Sequence, residues 1–188
     1  MNYTPQQALS KLISGNNIYL HSRANPSNIS PARRFATATN GQRPFAAVLT
    51  CSDSRIPPEH IFTAGLGELF TVRTSGNVVG NFEIGSIEYA VEHLGVPILL
   101  VMGHSQCGAV VAALEDHADG YIEDVIHEIQ LGLNGATEEG PAICNNILHS
   151  KNQIMKSTIV RKYLLSDKLA IVCALYNIET GKVDFFNC

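Results

Sequence analysis

Pro97-Ile98-Leu99-Leu100-Val101-Met102, followed by Gly103-His104-Ser105-Gln106-Cys107-Gly108, decides how this chain folds. An apolar run without polar alternation reads as a strand buried on both faces, the pattern of a parallel sheet covered by helices. The glycine-flanked segment after it sets an imidazole and a thiol at the strand's C-terminal end. The arrangement recurs earlier, where Phe45-Ala46-Ala47-Val48-Leu49-Thr50 runs into Cys51-Ser52-Asp53-Ser54-Arg55. Open α/β sheets bind ligands beyond the carboxyl ends of their strands. Strands ending at Cys51 and at His104 therefore predict one site built from both.

The rest of the chain fits around these two strands. Ala8, Leu9, Leu12, Ile13 and Ile18 give an amphipathic helix from Tyr3 to about Ser22, with Thr4 as N-cap and Pro5 at the first helical position. Arg23 to Arg43 is polar, contains Pro26, Pro31 and Gly41, and reads as an extended arm. Pro57-Pro58-Glu59 opens a short helix through Phe62, and Leu69 to Val72 is a strand. Asn81 to Gly95 carries Ile84, Ile87, Ala90, Val91 and Leu94 at helical spacing, closed by glycine. Cys107 to about Leu114 reads as helical. The signal weakens from His117 to Gly140, where Ile122, Val125, Ile126, Ile129 and Leu133 form a helical stripe. Pro141 to Met155 is a further helix. Leu169 to Leu175 is a strand, and Thr180-Gly181 turns into Val183 to Phe186. This alternation predicts an α/β fold: a mainly parallel central sheet flanked by helices, with an antiparallel edge strand and an N-terminal helical arm.

Composition narrows the function classes. The chain has 188 residues, 45% of them hydrophobic, enough for one domain plus an arm. A net charge of −4 offers no basic surface for nucleic acid or an anionic membrane. No apolar run spans a bilayer, and the first residues lack the charged and apolar regions of a signal peptide. Five cysteines without dense spacing fit a reducing, cytoplasmic setting better than a disulfide framework. Cys144, Cys173 and Cys188 read as small buried apolar residues.

Cys51, His104 and Cys107 are a different matter. Two thiolates and an imidazole suit Zn²⁺, and three ligands leave the fourth position open, as catalytic zinc sites do. The long separation of Cys51 from His104 is wrong for a zinc finger. Gly103 and Gly108 let the backbone come close to the ligands. Two thiolates make the zinc site formally neutral, so zinc-bound hydroxide needs further help. Asp53 and Arg55 point to the same side of an extended segment. Asp53 then accepts a hydrogen bond from the hydroxide while Arg55 clamps its carboxylate. Alternatively Asp53 itself fills the fourth zinc position and closes the site. His60 is a candidate proton shuttle, set against the plainer reading of a surface histidine.

The segments Cys51-Ser52-Asp53-Ser54-Arg55-Ile56-Pro57-Pro58-Glu59, Glu68 to Asn77, Ser86-Ile87-Glu88-Tyr89-Ala90-Val91 and Gly103 to Ala109 together resemble the β-class carbonic anhydrases. The resemblance is specific from Gln42 to about Leu114. It continues more loosely through Asn145-Asn146-Ile147 and Leu175 to Val183, and finds no counterpart from His117 to Gly140. It implies reversible hydration of CO₂ to bicarbonate and a proton. It matches Cys51, His104 and Cys107 to the zinc ligands and Asp53 and Arg55 to the catalytic dyad. Gln42, Phe70 and Tyr89 match residues lining the substrate cleft, partly from a neighbouring subunit, and Ser75 and Gly108 fall beside the same pocket. Ser75 and Thr74 depart from the usual residues there. The resemblance also implies a homodimer or a dimer-based assembly such as a homotetramer. Residues 1–41 would then be the dimerisation helix and arm, received by the partner subunit, and residues 42–188 the zinc-containing catalytic domain. Relatives with a bicarbonate switch carry Trp where this chain has Val48, so an Asp53-closed zinc is not expected, although Arg73 matches that pocket's arginine.

Two other activities share these residues. Hydrolysis of carbonyl sulfide or carbon disulfide would use the same zinc hydroxide on another linear substrate. A non-catalytic zinc-binding structural protein is disfavoured by the open fourth position. A nucleotide-binding protein lacks both the Gly-x-Gly-x-x-Gly turn and the P-loop.

Overall fold

The computed structural model describes residues 3–186. Five strands form one sheet: β1 (Ala46–Cys51), β2 (Leu69–Thr74), β3 (Ile98–His104), β4 (Ala170–Tyr176) and β5 (Val183–Phe186). Their order is β2-β1-β3-β4-β5, with β1 to β4 parallel and β5 antiparallel at the edge. The predicted fold class is thus the observed one. Every residue of β1 and β3 is buried, which is why both read as unbroken apolar runs. Leu49, Leu99 and Leu100 are fully buried, each stabilising the fold by about 1.5–3 kcal/mol relative to exposure.

Connections from β1 leave in one direction to β2, and the chain returns to β1's other side as β3. The crevice between the carboxyl ends of β1 and β3 is therefore the topological switch point. The register pairs Thr50 with Met102, so Cys51 and His104 emerge side by side.

The helices are α1 (Pro5–His21), α2 (Pro31–Asn40), α3 (Pro58–Ile61), α4 (Asn81–Glu92), α5 (Gly108–Glu115), α6 (Ile122–Gly132), α7 (Glu139–Ile154) and α8 (Thr158–Leu165). Three differ from expectation. The arm from Arg23 to Arg43 is not extended throughout, because it contains α2. Ser30 caps that helix by accepting the Arg33 N–H, and Pro31 sits at its first turn, where proline starts a helix. Helix α8 falls where no element was read. It is short, capped by Ser157, and buries only Val160.

The third difference concerns α1. It begins as expected, with Thr4 and Gln7 forming a reciprocal capping box. Part of its apolar stripe is covered by its own chain, while Ile13 and Ile18 stay exposed. Ala8 and Leu12 are fully buried, and a Cβ on Gly15 would lie 2.0 Å from the Phe62 carbonyl oxygen. Buried Asn16 donates to the carbonyls of Ile61 and Gly181 and accepts the Val183 N–H. The helix is integral to the subunit. In contrast, α2 buries no residue, and Phe35 on it is 75% exposed.

Cys144 is half-buried and free. Cys173 is fully buried in β4 but disulfide-bonded, so it is not the simple apolar thiol expected. Cys188 lies outside the described residues.

Candidate metal centre

Cys51 closes β1, His104 closes β3, and Cys107 caps the N-terminus of α5. All three are buried, and their ligand atoms lie within 4.8 Å of one another. Among the described residues this is the one group of His, Cys, Asp or Glu side chains that could hold a metal ion. The imidazole is prepared for one. Its Nδ1 lies 2.9 Å from the Ser105 carbonyl oxygen, which can only accept, so Nδ1 carries the proton and Nε2 the lone pair. Nε2 is buried without a partner. Leaving such an atom unpaired costs about 1–3 kcal/mol, which a metal bond would offset.

The two sulfurs share charge unequally. Cys51 is pushed well below the ordinary thiol range, chiefly by a hydrogen bond from Cys107, with the amides of Asp53 and Gly76 assisting against burial. Cys107 is pushed up, because its neighbour already holds the charge and because it is buried; the amides of Val110 and Ala109 pull weakly the other way. A divalent cation would allow both to ionise.

Asp53 faces Arg55. The guanidinium donates from Nε to Oδ1 at 3.0 Å and from Nη2 to Oδ2 at 2.7 Å, and the Arg55 amide adds a third bond to Oδ1 at 2.9 Å. These bonds hold the Asp53 carboxyl down to about 2, against some burial. Arg55 also donates to the Gln106 carbonyl at 3.2 Å, which ties the dyad to the turn between the two β3-side ligands. Asp53 is not one of the three clustered side chains that could hold a metal.

The supporting contacts were not legible from the motifs. Arg73 donates from Nε to the Cys51 carbonyl at 3.0 Å and from Nη2 to the Asp53 carbonyl at 2.6 Å. Glu139, at the start of α7, accepts the Gln106 N–H at 2.5 Å. Gln106 has a φ of 57°, a left-handed conformation that a non-glycine residue adopts only when its surroundings hold it. Gly76 donates its N–H to the Cys51 sulfur at 3.2 Å. Gly103 is glycine for a reason other than ligand approach: a Cβ there would meet Ile147 of α7 at 2.7 Å. Gly108 faces open space beside the site.

Phe70 and Tyr89 come together, their ring centroids 6.2 Å apart. Tyr89 is 47% exposed, and Gln42 and Ser75 are also exposed. Val48 is fully buried in β1. His60 is exposed, and its Nδ1 lies 3.0 Å from the side-chain amide of Asn25.

The family model for carbonic anhydrases matches residues 46–183. Carbonic anhydrase 2 of Mycobacterium tuberculosis is 34% identical over 192 residues, covering 96% of this chain and 92% of that one. The solved β-carbonic anhydrase CcaA aligns with a TM-score of 0.75 at 25% identity, covering 95% of each chain. A structure described as one of two tetrameric β-carbonic anhydrases of Sordaria macrospora has the same fold, with a TM-score of 0.74 at 24% identity, covering 96% of this chain and 97% of that one.

Proposed function

The chain belongs to the β-carbonic anhydrase family of enzymes, and on that premise we propose that it catalyses reversible hydration of CO₂ to bicarbonate and a proton with one Zn²⁺ held by Cys51, His104 and Cys107. The observation that supports this most directly is the unpartnered His104 Nε2 beside two sulfurs, a donor set of the kind that selects zinc. When bound, Zn²⁺ supplies the Lewis acidity that makes water nucleophilic near neutral pH.

The chain's own residues do the rest. Asp53, kept ionised by Arg55, accepts a hydrogen bond from the attacking water and orients its lone pair toward the substrate carbon. Arg55 holds that carboxylate away from the metal, so the fourth position stays available to substrate. Phe70 and Tyr89 pack together toward the start of β2, four positions before the Thr74 that pairs with Cys51, so the apolar wall they offer a nonpolar linear molecule would serve a neighbouring subunit's cleft. Gly108, next to Cys107, leaves open space at the site, Ser75 adjoins the Gly76 whose N–H reaches the Cys51 sulfur, and Gln42, which precedes β1 and lies by Gly67, would serve a neighbouring subunit's cleft. No observation favours carbonyl sulfide or carbon disulfide over CO₂.

The protein is further proposed to self-associate as a dimer or a multiple of one. Helix α2 presents Phe35 to solvent, β2 leaves one edge of the sheet unpaired, and Phe82 on α4 is 88% exposed. Residues 1–41 contribute through α2 and through the exposed Ile13 and Ile18 of α1, whose other face is packed on its own subunit. Among the described residues no helix is long and apolar enough to cross a membrane. A cytoplasmic setting is part of the proposal, because Cys51, Cys107 and Cys144 are free and the first two must stay unoxidised to bind metal; the disulfide at Cys173 is the observation that points the other way. The test is elemental analysis of the purified chain alongside stopped-flow CO₂ hydration. About one zinc per chain with activity that chelation removes and zinc restores is the expected result; activity surviving complete metal removal would refute it.

A further inference from the structure

Helix α7 reaches the metal centre through a turn, and we propose that Asn146 is a positioning residue for Cys51, holding Gly76 so that its N–H points at the metal-binding sulfur. This rests on the metal site proposed above. The chain of contacts is short. Asn146, 1% exposed, donates from Nδ2 to the Gly76 carbonyl at 2.7 Å, and the Gly76 N–H donates to Cys51 Sγ at 3.2 Å.

The turn needs holding. Gly76 and Asn77 are consecutive left-handed residues, with φ of 62° and 49°. For Asn77 that conformation costs on the order of 1 kcal/mol. Ser150, one helical turn after Asn146 on the same face of α7, donates to the Asn77 carbonyl at 2.9 Å and lies 3.3 Å from the Asn77 side-chain amide. A Cβ on Gly76 would come within 2.6 Å of Ile129, so the turn is also packed from α6. Released from Asn146, Gly76 would swing its amide away from the sulfur.

Packing alone does not account for an asparagine here. Its Oδ1 is buried without a partner, a cost a leucine of similar volume would avoid. What the amide supplies is direction for one N–H···S hydrogen bond. Such a bond withdraws electron density from a thiolate and weakens it as a donor. With two thiolates the zinc is formally neutral and a modest Lewis acid. Weakening one sulfur restores electrophilicity without giving up a ligand.

The test uses the whole protein with its metal exchanged. In the cadmium-113 form, the Cys51 β-protons should couple to the metal, and the Gly76 amide proton should show a smaller coupling across its hydrogen bond. Asn146→Ala, and Asn146→Asp, which keeps the shape but loses the donor, should abolish the Gly76 coupling. In the cobalt(II) forms of these variants the sulfur-to-metal charge-transfer band should move to lower energy. Zinc affinity, measured by chelator competition, should still fall about 10-fold, because the same bond stabilises the thiolate over the thiol and fixes the sulfur's position, which outweighs the gain in donor strength. Wild-type protein with cadmium on Cys51 but no Gly76 coupling would overturn the proposal whether or not the variants fold. So would an Asn146→Asp variant with unchanged coupling and band. Absence of coupling at Cys51 itself would instead defeat the metal-site reading, and this proposal with it.

Discussion

Arg55 and Asp53 are joined by two parallel side-chain hydrogen bonds, and the same guanidinium reaches the Gln106 carbonyl. One side chain thus fixes the carboxylate and touches the turn carrying Cys107. Arg55→Ala should leave zinc bound while CO₂ hydration falls by about 100-fold or more. Elemental analysis beside stopped-flow rates checks this. Zinc lost together with activity would make Arg55 a structural residue.

The same pair sets a pH dependence. Asp53 is held down to about 2, below its ordinary value near 3.9. Its pairing therefore contributes stability above the ordinary pKa and loses it as pH falls toward about 2. In Arg55→Ala the carboxyl should titrate near 4. Carbon-13 NMR of the Asp53 carboxyl should follow that rise; an unmoved midpoint would mean that Arg55 does not set it.

Cys107→Ser should lose most of its zinc. A serine hydroxyl stays protonated near neutral pH and is a poor partner for Zn²⁺. Inductively coupled plasma analysis after gel filtration reads the stoichiometry, and a full complement of zinc would remove Cys107 from the ligand set.

Glu139 braces the left-handed Gln106 between His104 and Cys107. Glu139→Ala should weaken zinc binding about 10-fold, and Glu139→Gln, which still accepts the Gln106 N–H, should recover most of it. Chelator competition on both variants decides. Equal losses would mean the charge matters and the bond does not.

Gly15→Ala should destabilise the fold by about 3 kcal/mol, since the new methyl meets backbone that cannot yield. Thermal unfolding measures it. A neutral substitution would show α1 to be a detachable arm after all.

The convergence of Cys51, His104 and Cys107 and the pairing of Asp53 with Arg55 were legible because each sits in a short segment whose residue types announce their chemistry. Cys51 and His104 follow apolar runs that only buried strands explain. What was hidden depends on long-range contacts between side chains and backbone. Asn146 and Gly76 are 70 positions apart, and Glu139 and Gln106 are 33. Such bonds leave no periodicity in either segment. Helix α2 was obscured because Pro31 signals a break or a start with equal force, and only the Ser30 cap distinguishes them. That Ala8 and Leu12 of α1 pack on their own chain was hidden because amphipathicity identifies a face to be covered but not the surface that covers it.

Asn16 has a consequence for how the chain matures. Its three bonds join α1 to the end of α3 and to the hairpin between β4 and β5, up to 167 positions away. On the ribosome, the first helix emerges long before its last acceptor and donor exist. Until the hairpin arrives, docking α1 would bury an amide with most of its partners missing, at a cost of about 1–3 kcal/mol. Its final seating must therefore wait for the closing strand. Asn16 thus couples the seating of the N-terminal helix to the distal hairpin, favouring it over a chain in which that hairpin has formed.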